Sequence, residues 1–137
     1  MAMTVTGPAL AGPFRAGADL DGKEGYAALV SGGSGDEEVS LAGVSDANDI
    51  TVAVGVITSV SGVYADESMG ATVQFGGVAY VLTGAAVEAG APVAPNGSSE
   101  WITAVSDNYA AGFALQGGAD ATLIQVKLLG VSGVLIP

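Results

Sequence analysis

The chain has 137 residues, enough for one domain, and its 14 acidic and 3 basic residues give a net charge of −11. It contains no cysteine and no histidine, which excludes disulfides, thiol nucleophiles, Cys- or His-based metal centres and histidine acid–base catalysis. The three cations, Arg15, Lys23 and Lys127, are too few to neutralise a row of phosphates. We therefore expect neither nucleic acid nor a membrane as a partner.

The composition indicates a β protein. Glycine contributes 22 residues and charged residues only 12%, whereas long amphipathic helices need charged side chains on their solvent face. Short valine-rich runs between glycines are typical of strands joined by tight turns. We expect an all-β fold, a small β-barrel or sandwich of about eight short strands. Residues 1–17 are expected to form an extended N-terminal arm and residues 18–137 a single β domain.

The arm comes first in the chain. Pro8 and Pro13 fix the backbone angle φ and remove N–H donors, which argues against a helix and favours an extended segment. The opening residues have no basic stretch followed by a long apolar run, so we expect no signal peptide.

Apolar runs predict the strands that follow. They lie at residues 26–30, 39–42, 50–57, 71–75, 78–82, 91–94, 100–105, 111–115 and 124–128. The run at 50–57 is nearly all apolar, as in a strand covered on both faces. Proline followed by Asn96-Gly97 predicts a hairpin between the runs at 91–94 and 100–105.

Residues 68–87 carry no charge and are long enough to span a bilayer. Gly76 and Gly77 divide this window into two halves, each with a period of two. Val78, Tyr80 and Leu82 continue the apolar alternation in the second half. This pattern indicates two adjacent strands rather than a membrane helix.

The sequence offers little for catalysis. The glycine-rich residues 31–35 precede Asp36, Glu37 and Glu38, which would repel a phosphate. Without histidine there is no ordinary base to activate a serine. The acidic residues lie next to glycine, serine or asparagine in predicted turns, where solvated charge is the ordinary case. We therefore expect no enzyme, no catalytic residues and no cofactor.

Two kinds of ligand remain open as alternatives. Acid clusters offer oxygen ligands to Ca²⁺ without the spacing of an EF-hand, and solvated turns are the simpler interpretation, so no metal site is assigned. The clusters are Asp19-Asp21-Glu24, Asp36-Glu37-Glu38 and Asp46-Asp49. Aromatic rings are candidates for a sugar-binding face, although scattered rings are more often core or interface anchors. They are Trp101, Tyr64, Tyr80 and Tyr109.

A series of short motifs extends from about residue 14 to residue 130. They are AGADL at 16–20, GYAA at 25–28, VGVI at 54–57, ATVQFGGV at 71–78, EAGAPV at 88–93, the Asn96-Gly97 turn, AGFAL at 111–115 and the strand at 121–128. In the order and spacing of these motifs, the chain resembles the head decoration (cement) proteins of tailed bacteriophages. Those are small β-barrel proteins rich in glycine, alanine and valine. The resemblance implies a compact β domain without catalysis, present as trimers at threefold or quasi-threefold positions outside a capsid.

Under this resemblance we expect a structural virion protein that binds the outside of a phage capsid and stabilises it by bridging adjacent capsomers. The expected partners are the major capsid protein and further copies of the chain in a homotrimer. The expected location is the outer surface of the virion, after synthesis in the host cytoplasm. The arm is the expected contact, because a strand added to a sheet edge satisfies backbone groups on both partners. Its candidate partner-binding residues are Val5, Pro8, Leu10, Pro13, Phe14 and Arg15.

Two other functions stay open on the sequence alone. One is a carbohydrate-binding or adhesive fibre module built on Trp101 and nearby tyrosines. The other is a self-assembling shell subunit, which would polymerise without a capsid. The apolar residues 128–136 fit either a subunit interface or the chain's own core.

Overall fold

Short β-strands account for most of the chain that a computed structural model describes, residues 11–32, 37–43, 54–106, 108–129 and 134–135. The strands are β1 (Ala11–Ala16), β2 (Ala27–Gly32), β3 (Glu37–Leu41), β4 (Val54–Ser61), β5 (Gly70–Gln74), β6 (Gly77–Leu82), β7 (Pro92–Pro95), β8 (Trp101–Thr103), β9 (Tyr109–Ala110), β10 (Gly112–Ala114), β11 (Leu123–Leu128) and β12 (Val134–Leu135). A short 3₁₀ helix, η1 (Tyr64–Asp66), lies between β4 and β5. The all-β prediction is confirmed. The strands outnumber those expected, because several have only two or three residues.

The first five strands close into a barrel in the order β1-β3-β2-β4-β5. β1 runs antiparallel to β5, from the pair Ala11–Gln74 to the pair Arg15–Gly70, and parallel to β3. The hairpin of β2 and β3 and the antiparallel pairs β2–β4 and β4–β5 complete the ladder. A register shift follows Ile57 in β4. Irregularities of this kind bend a strand, which helps a small barrel to close.

Residues 11–16, which the sequence placed in the extended arm, form the first barrel strand. Proline removes one backbone donor and is tolerated where a strand has a free edge. In the described part of the chain, β3 pairs with β1 at Arg15 and Ala16, beyond Pro13. At Pro13 the described ladder is the one with β5, where Pro13 lies opposite Thr72.

Five of the later strands form a second, antiparallel sheet in the order β6-β11-β10-β7-β8. β7 and β8 are the hairpin predicted from the turn residues. The Asn96 carboxamide oxygen accepts hydrogen bonds from the N–H groups of Ser98 and Glu100 at 2.8 and 3.1 Å. The left-handed residue of the turn is Ser99, with φ 64°, rather than Gly97, so the side chain of Asn96 organises this hairpin.

β2 and β4 form a wall shared by two hydrophobic cores. Ala28 and Ile57 belong to the core inside the barrel, whereas their neighbours Ala27 and Val56 belong to the core of the second sheet. Successive side chains of a strand point to opposite faces, so a strand between two cores is apolar at every position. The described part of the apolar run, residues 54–57, is buried throughout, which confirms a strand covered on both faces.

The core of the second sheet surrounds Trp101, which is fully buried. In β11 the buried residues are Ile124, Val126 and Leu128, as their alternation with polar residues indicates. In β6 the fully buried side chains are those of Ala79 and Val81. Val78, Tyr80 and Leu82, which the alternation marked as the apolar face, are only half-buried. The opposite face is the buried one, and Ala79 and Val81 share their core with the indole of Trp101.

The uncharged window at residues 68–87 contains β5 and β6, as its pattern indicates. No helix in the described ranges is long and apolar enough to cross a membrane.

Candidate interaction surface

The β4–β5 loop, residues 62–69, is closed on itself by hydrogen bonds. It starts at Gly62, whose φ is 84° and where any side chain would collide with the carbonyl oxygen of Ser68. The N–H of Glu67 donates to the carbonyl of Tyr64 at 3.0 Å, which closes η1. The Ser68 hydroxyl accepts from the Val63 N–H at 2.9 Å, and the Ser68 N–H donates back to the Val63 carbonyl at 3.2 Å. These contacts fix the two ends of the loop to each other.

The end of this loop is also attached to the barrel. Met69 is 6% exposed and belongs to the barrel core. Its sulfur accepts a hydrogen bond from the Leu20 N–H at 3.2 Å, and its carbonyl accepts one from the Ala16 N–H at 3.1 Å. The Tyr64 hydroxyl reaches the carbonyl of Gly17 at 3.4 Å. The loop is therefore fixed against β1 and the turn that follows it.

Val63, Tyr64 and Ala65 stand on the outside of this braced loop, and we call them the Tyr64 ridge. Val63 is 56% exposed and Tyr64 42%. A hollow of about 290 Å³ lies on one side and another of about 220 Å³ on the other. Arg15, Glu38 and Glu67 help to line the first; Asp19 and Asp21 help to line the second. The arrangement is an apolar projection beside two hollows whose linings each include acidic side chains.

Carboxylates dominate the charge around the ridge. Arg15 lines the first hollow, and it forms an ion pair there with Glu38 at 3.2 Å. Both side chains are partly exposed, so the pair contributes about 1 kcal/mol or less. Hydrogen bonds from the side chain and backbone of Ser68 hold the pKa of the fully exposed Asp66 below its ordinary value. Asp66 is thus a stable carboxylate at neutral pH.

The predicted partner-binding residues of the arm divide between two parts of the chain. Val5, Pro8 and Leu10 lie outside the described residues. Pro13, Phe14 and Arg15 lie in β1, where Pro13 is paired with Thr72. The Phe14 ring packs on the barrel core and meets Phe75 edge-on, with ring centroids 6.2 Å apart. Of this set, Arg15 is the residue that the structure places at the Tyr64 ridge.

The acid clusters that suggested Ca²⁺ are only partly described. Asp19 closes a tight turn, because its carboxylate accepts from the Asp21 N–H at 3.1 Å. Asp36, Asp46 and Asp49 lie outside the described residues. In the ranges that are described, no three acidic side chains are grouped closely enough to hold a metal ion.

The aromatic residues do not form the sugar-binding face of Trp101 and nearby tyrosines that was left open as an alternative. Trp101 is fully buried, so its indole is a core anchor, the interpretation that the sequence favoured, and is not part of a sugar-binding face. The Tyr80 hydroxyl accepts a hydrogen bond from the Gln125 carboxamide at 3.0 Å, on the half-buried face of β6. Tyr64 is the one of the four candidate rings that is strongly exposed.

The apolar C-terminal residues contribute a strand to the chain's own fold. β12 pairs antiparallel with β9, with Val134 opposite Ala110 and Leu135 opposite Tyr109. This part of the tail satisfies its backbone groups within the molecule.

Sequence reasoning missed the ridge as a unit and noted only Tyr64. The available signal was a turn glycine, Gly62, followed by two large apolar residues and then by Asp66 and Glu67. Apolar residues flanked by acids and without strand periodicity indicate an exposed loop. No family model matches the sequence, and a search of curated proteins finds no match. The function must therefore be inferred from the chain's own residues and geometry.

Proposed function

We propose that the chain is a structural protein that binds the outside of a phage capsid as a homotrimer and stabilises it by bridging adjacent capsomers. The observation that carries the proposal is the Tyr64 ridge, an apolar projection held exposed by a braced loop. The motif order that resembles head decoration proteins supports the same function. Its segments at 54–57, 71–78, 111–115 and 121–128 fall on β4, β5, β6, β10 and β11.

A braced loop on a closed barrel suits this role because it loses little conformational freedom on binding. Ordering a mobile side chain at an interface costs about 0.5–1.5 kcal/mol, and a preformed contact avoids part of that cost. In a trimer the contacts of three subunits act together through effective concentration, so a modest affinity at each site gives firm attachment. Firm attachment to several capsomers raises the free energy needed to separate them.

Asp66, which follows the ridge in sequence, has the low pKa and the exposure of a solvated surface carboxylate. A general acid at neutral pH needs a raised pKa, obtained by burial against apolar walls. The pKa of Asp66 is shifted in the opposite direction, and the side chain is fully exposed. This observation favours a binding role over acid catalysis at the ridge.

Co-sedimentation with undecorated, mature capsids of the phage that encodes the chain tests the proposal. We expect saturable binding at a fixed ratio to the major capsid protein, and a trimeric mass for the free protein. Absence of binding to intact capsids would refute the proposal. Polymerisation of the purified chain without capsids would instead favour a self-assembling shell subunit.

A truncation assigns the contribution of the arm in the same assay. The deletion must stop at residue 10, because β1 begins at Ala11 and is part of the barrel. A deletion through residue 14 would remove most of a barrel strand and confuse loss of binding with loss of folding. If binding is lost on removal of residues 1–10, the arm carries the contact. If binding survives, the contact lies on the barrel.

A further inference from the structure

Resting on the proposed function, we propose that the Tyr64 ridge is the surface that contacts the capsid, and that it binds an apolar depression rimmed by lysine and arginine on the capsid protein. The ridge and the acids beside it, rather than the N-terminal arm, then determine where the protein sits. The inference depends on the exposure of the ridge, its bracing and its charge surroundings.

The ridge has the size and rigidity of an interface anchor. Val63 and Tyr64 are 56% and 42% exposed, although solvent exposure of such side chains is unfavourable in the free protein. Tyrosine is enriched among the residues that dominate binding energy, since it buries a large area with few rotatable bonds. The bonds between Val63 and Ser68 already hold the loop in place, so binding need not order it.

The charges beside the ridge identify the partner's chemistry. Asp19 and Asp21 line one hollow, and Glu67 lines the other. Asp66 lies in η1, next to the ridge, with a lowered pKa and full exposure. A partner surface that carries lysine or arginine around an apolar depression matches both features, whereas an acidic one would be repelled.

A second copy of the chain does not fit as the occupant of this surface. The chain has a net charge of −11 and only three cations. Arg15 is already paired with Glu38 beside the ridge. The Lys23 ammonium lies over the Tyr26 ring, 4.6 Å from its centroid, and the Lys127 ammonium donates to the Leu128 carbonyl at 3.4 Å. The ridge therefore faces a different protein, and trimer contacts lie elsewhere.

The test of the apolar contact uses two valines of equal exposure. Val63 on the ridge and Val105 after β8 are each 56% exposed. We expect Val63→Ser combined with Tyr64→Ser to weaken capsid binding by about tenfold or more, because truncating central anchors has effects of this size. Val105→Ser should leave binding unchanged. Tyr64→Phe should also bind normally, which separates loss of the ring from loss of the hydroxyl contact to Gly17. Thermal unfolding of each variant verifies folding.

The test of the charge match uses two pairs of isosteric changes. Asp21→Asn with Glu67→Gln removes two charges beside the ridge, and Glu88→Gln with Asp120→Asn removes two exposed charges from the other half of the chain. Both variants change the net charge equally. We expect the first variant to associate with capsids about threefold or more slowly than the wild type at low ionic strength. Its association rate should also depend less on salt concentration. The second should have little effect on either.

The outcomes separate this inference from the proposed function. Weak binding of the ridge variants with normal binding of the controls supports the inference. Equal binding by all the folded variants would overturn it and leave capsid decoration standing. Tighter binding after removal of the ridge acids would overturn the basic partner surface. If the wild-type chain fails to bind capsids, the proposed function and the inference fall together.

Discussion

Replacing Gly55 by alanine should destabilise the barrel strongly. Gly55 lies in β4, in the wall between the two cores, and a Cβ atom there would lie 2.5 Å from the Gln74 carbonyl oxygen, 2.7 Å from Val73 Cγ1 and 2.9 Å from Phe75 Cδ1. The first of these atoms belongs to the backbone of β5, which is paired on both sides in the barrel. It cannot yield as the end of a flexible side chain does.

The size of the effect follows from the cost of overpacking. One extra carbon in a packed core lowers the free energy of unfolding by about 1–3 kcal/mol. Because the added carbon of Gly55→Ala collides with a paired backbone, we expect a loss of about 3 kcal/mol. The entropy of unfolding is about 2.1 cal/mol/K per residue, or about 0.29 kcal/mol/K for this chain. A loss of about 3 kcal/mol then lowers the melting temperature by about 10 °C.

Thermal unfolding followed by circular dichroism measures the change, with Gly97→Ala as the control. Nothing lies within 4 Å of a Cβ at Gly97, and its φ is outside the left-handed region. Alanine there should be neutral or stabilise by up to about 1 kcal/mol through the unfolded state. If Gly55→Ala melts within about 2 °C of the wild type, the reasoning about close contact in the barrel wall is refuted.

Three further predictions concern single contacts. Thr83→Val should reduce stability by about 1–3 kcal/mol in denaturant unfolding, because the buried Thr83 hydroxyl accepts the Thr122 N–H at 2.9 Å; an unchanged midpoint would contradict this. Because the pKa of Asp66 is lowered by Ser68, its contribution to stability is present above its ordinary pKa and is lost as pH falls through the folded value. Ser68→Ala should raise that pKa in an NMR titration of the Asp66 carboxyl carbon, because the variant loses the side-chain bond and keeps the backbone bond; an unchanged value would show that the Ser68 hydroxyl is not a cause. The buried indole of Trp101 should emit at short wavelength and resist iodide quenching until the protein unfolds, whereas quenching of the native protein would place the ring at the surface.

The β4–β5 loop both carries the Tyr64 ridge and is anchored in the barrel core. Gly62 and Ser68 close the loop, while Met69 fixes its end in the barrel core. We therefore expect a change in the barrel wall near β4 to alter the position of the ridge as well. The binding assays on ridge variants accordingly need the unfolding measurements as their reference.

The strand class and most strand positions were predictable from the sequence. In β11, Ile124, Val126 and Leu128 alternate with Gln125 and Lys127, so one face is polar and the buried face follows. The run at 54–57 has no polar side chain, as is typical of a strand with a core on each side. The hairpin at Asn96 followed from turn chemistry that acts over a few residues. In each case the local pattern has one satisfactory arrangement.

The tertiary structure decided the features whose local pattern allows two arrangements. Both faces of β6 are apolar, and packing in the core that contains Trp101 buries the face of Ala79 and Val81. Pro13 favours an extended segment, and pairing with β5 made that segment a barrel strand. The exposure of Val63 and Tyr64 results from bonds that join residues across the loop and to Gly17. Which face of a strand is buried, and which strand it pairs with, depends on residues distant in sequence. The reason is that burial lowers the free energy only when the segment packs in the assembled core.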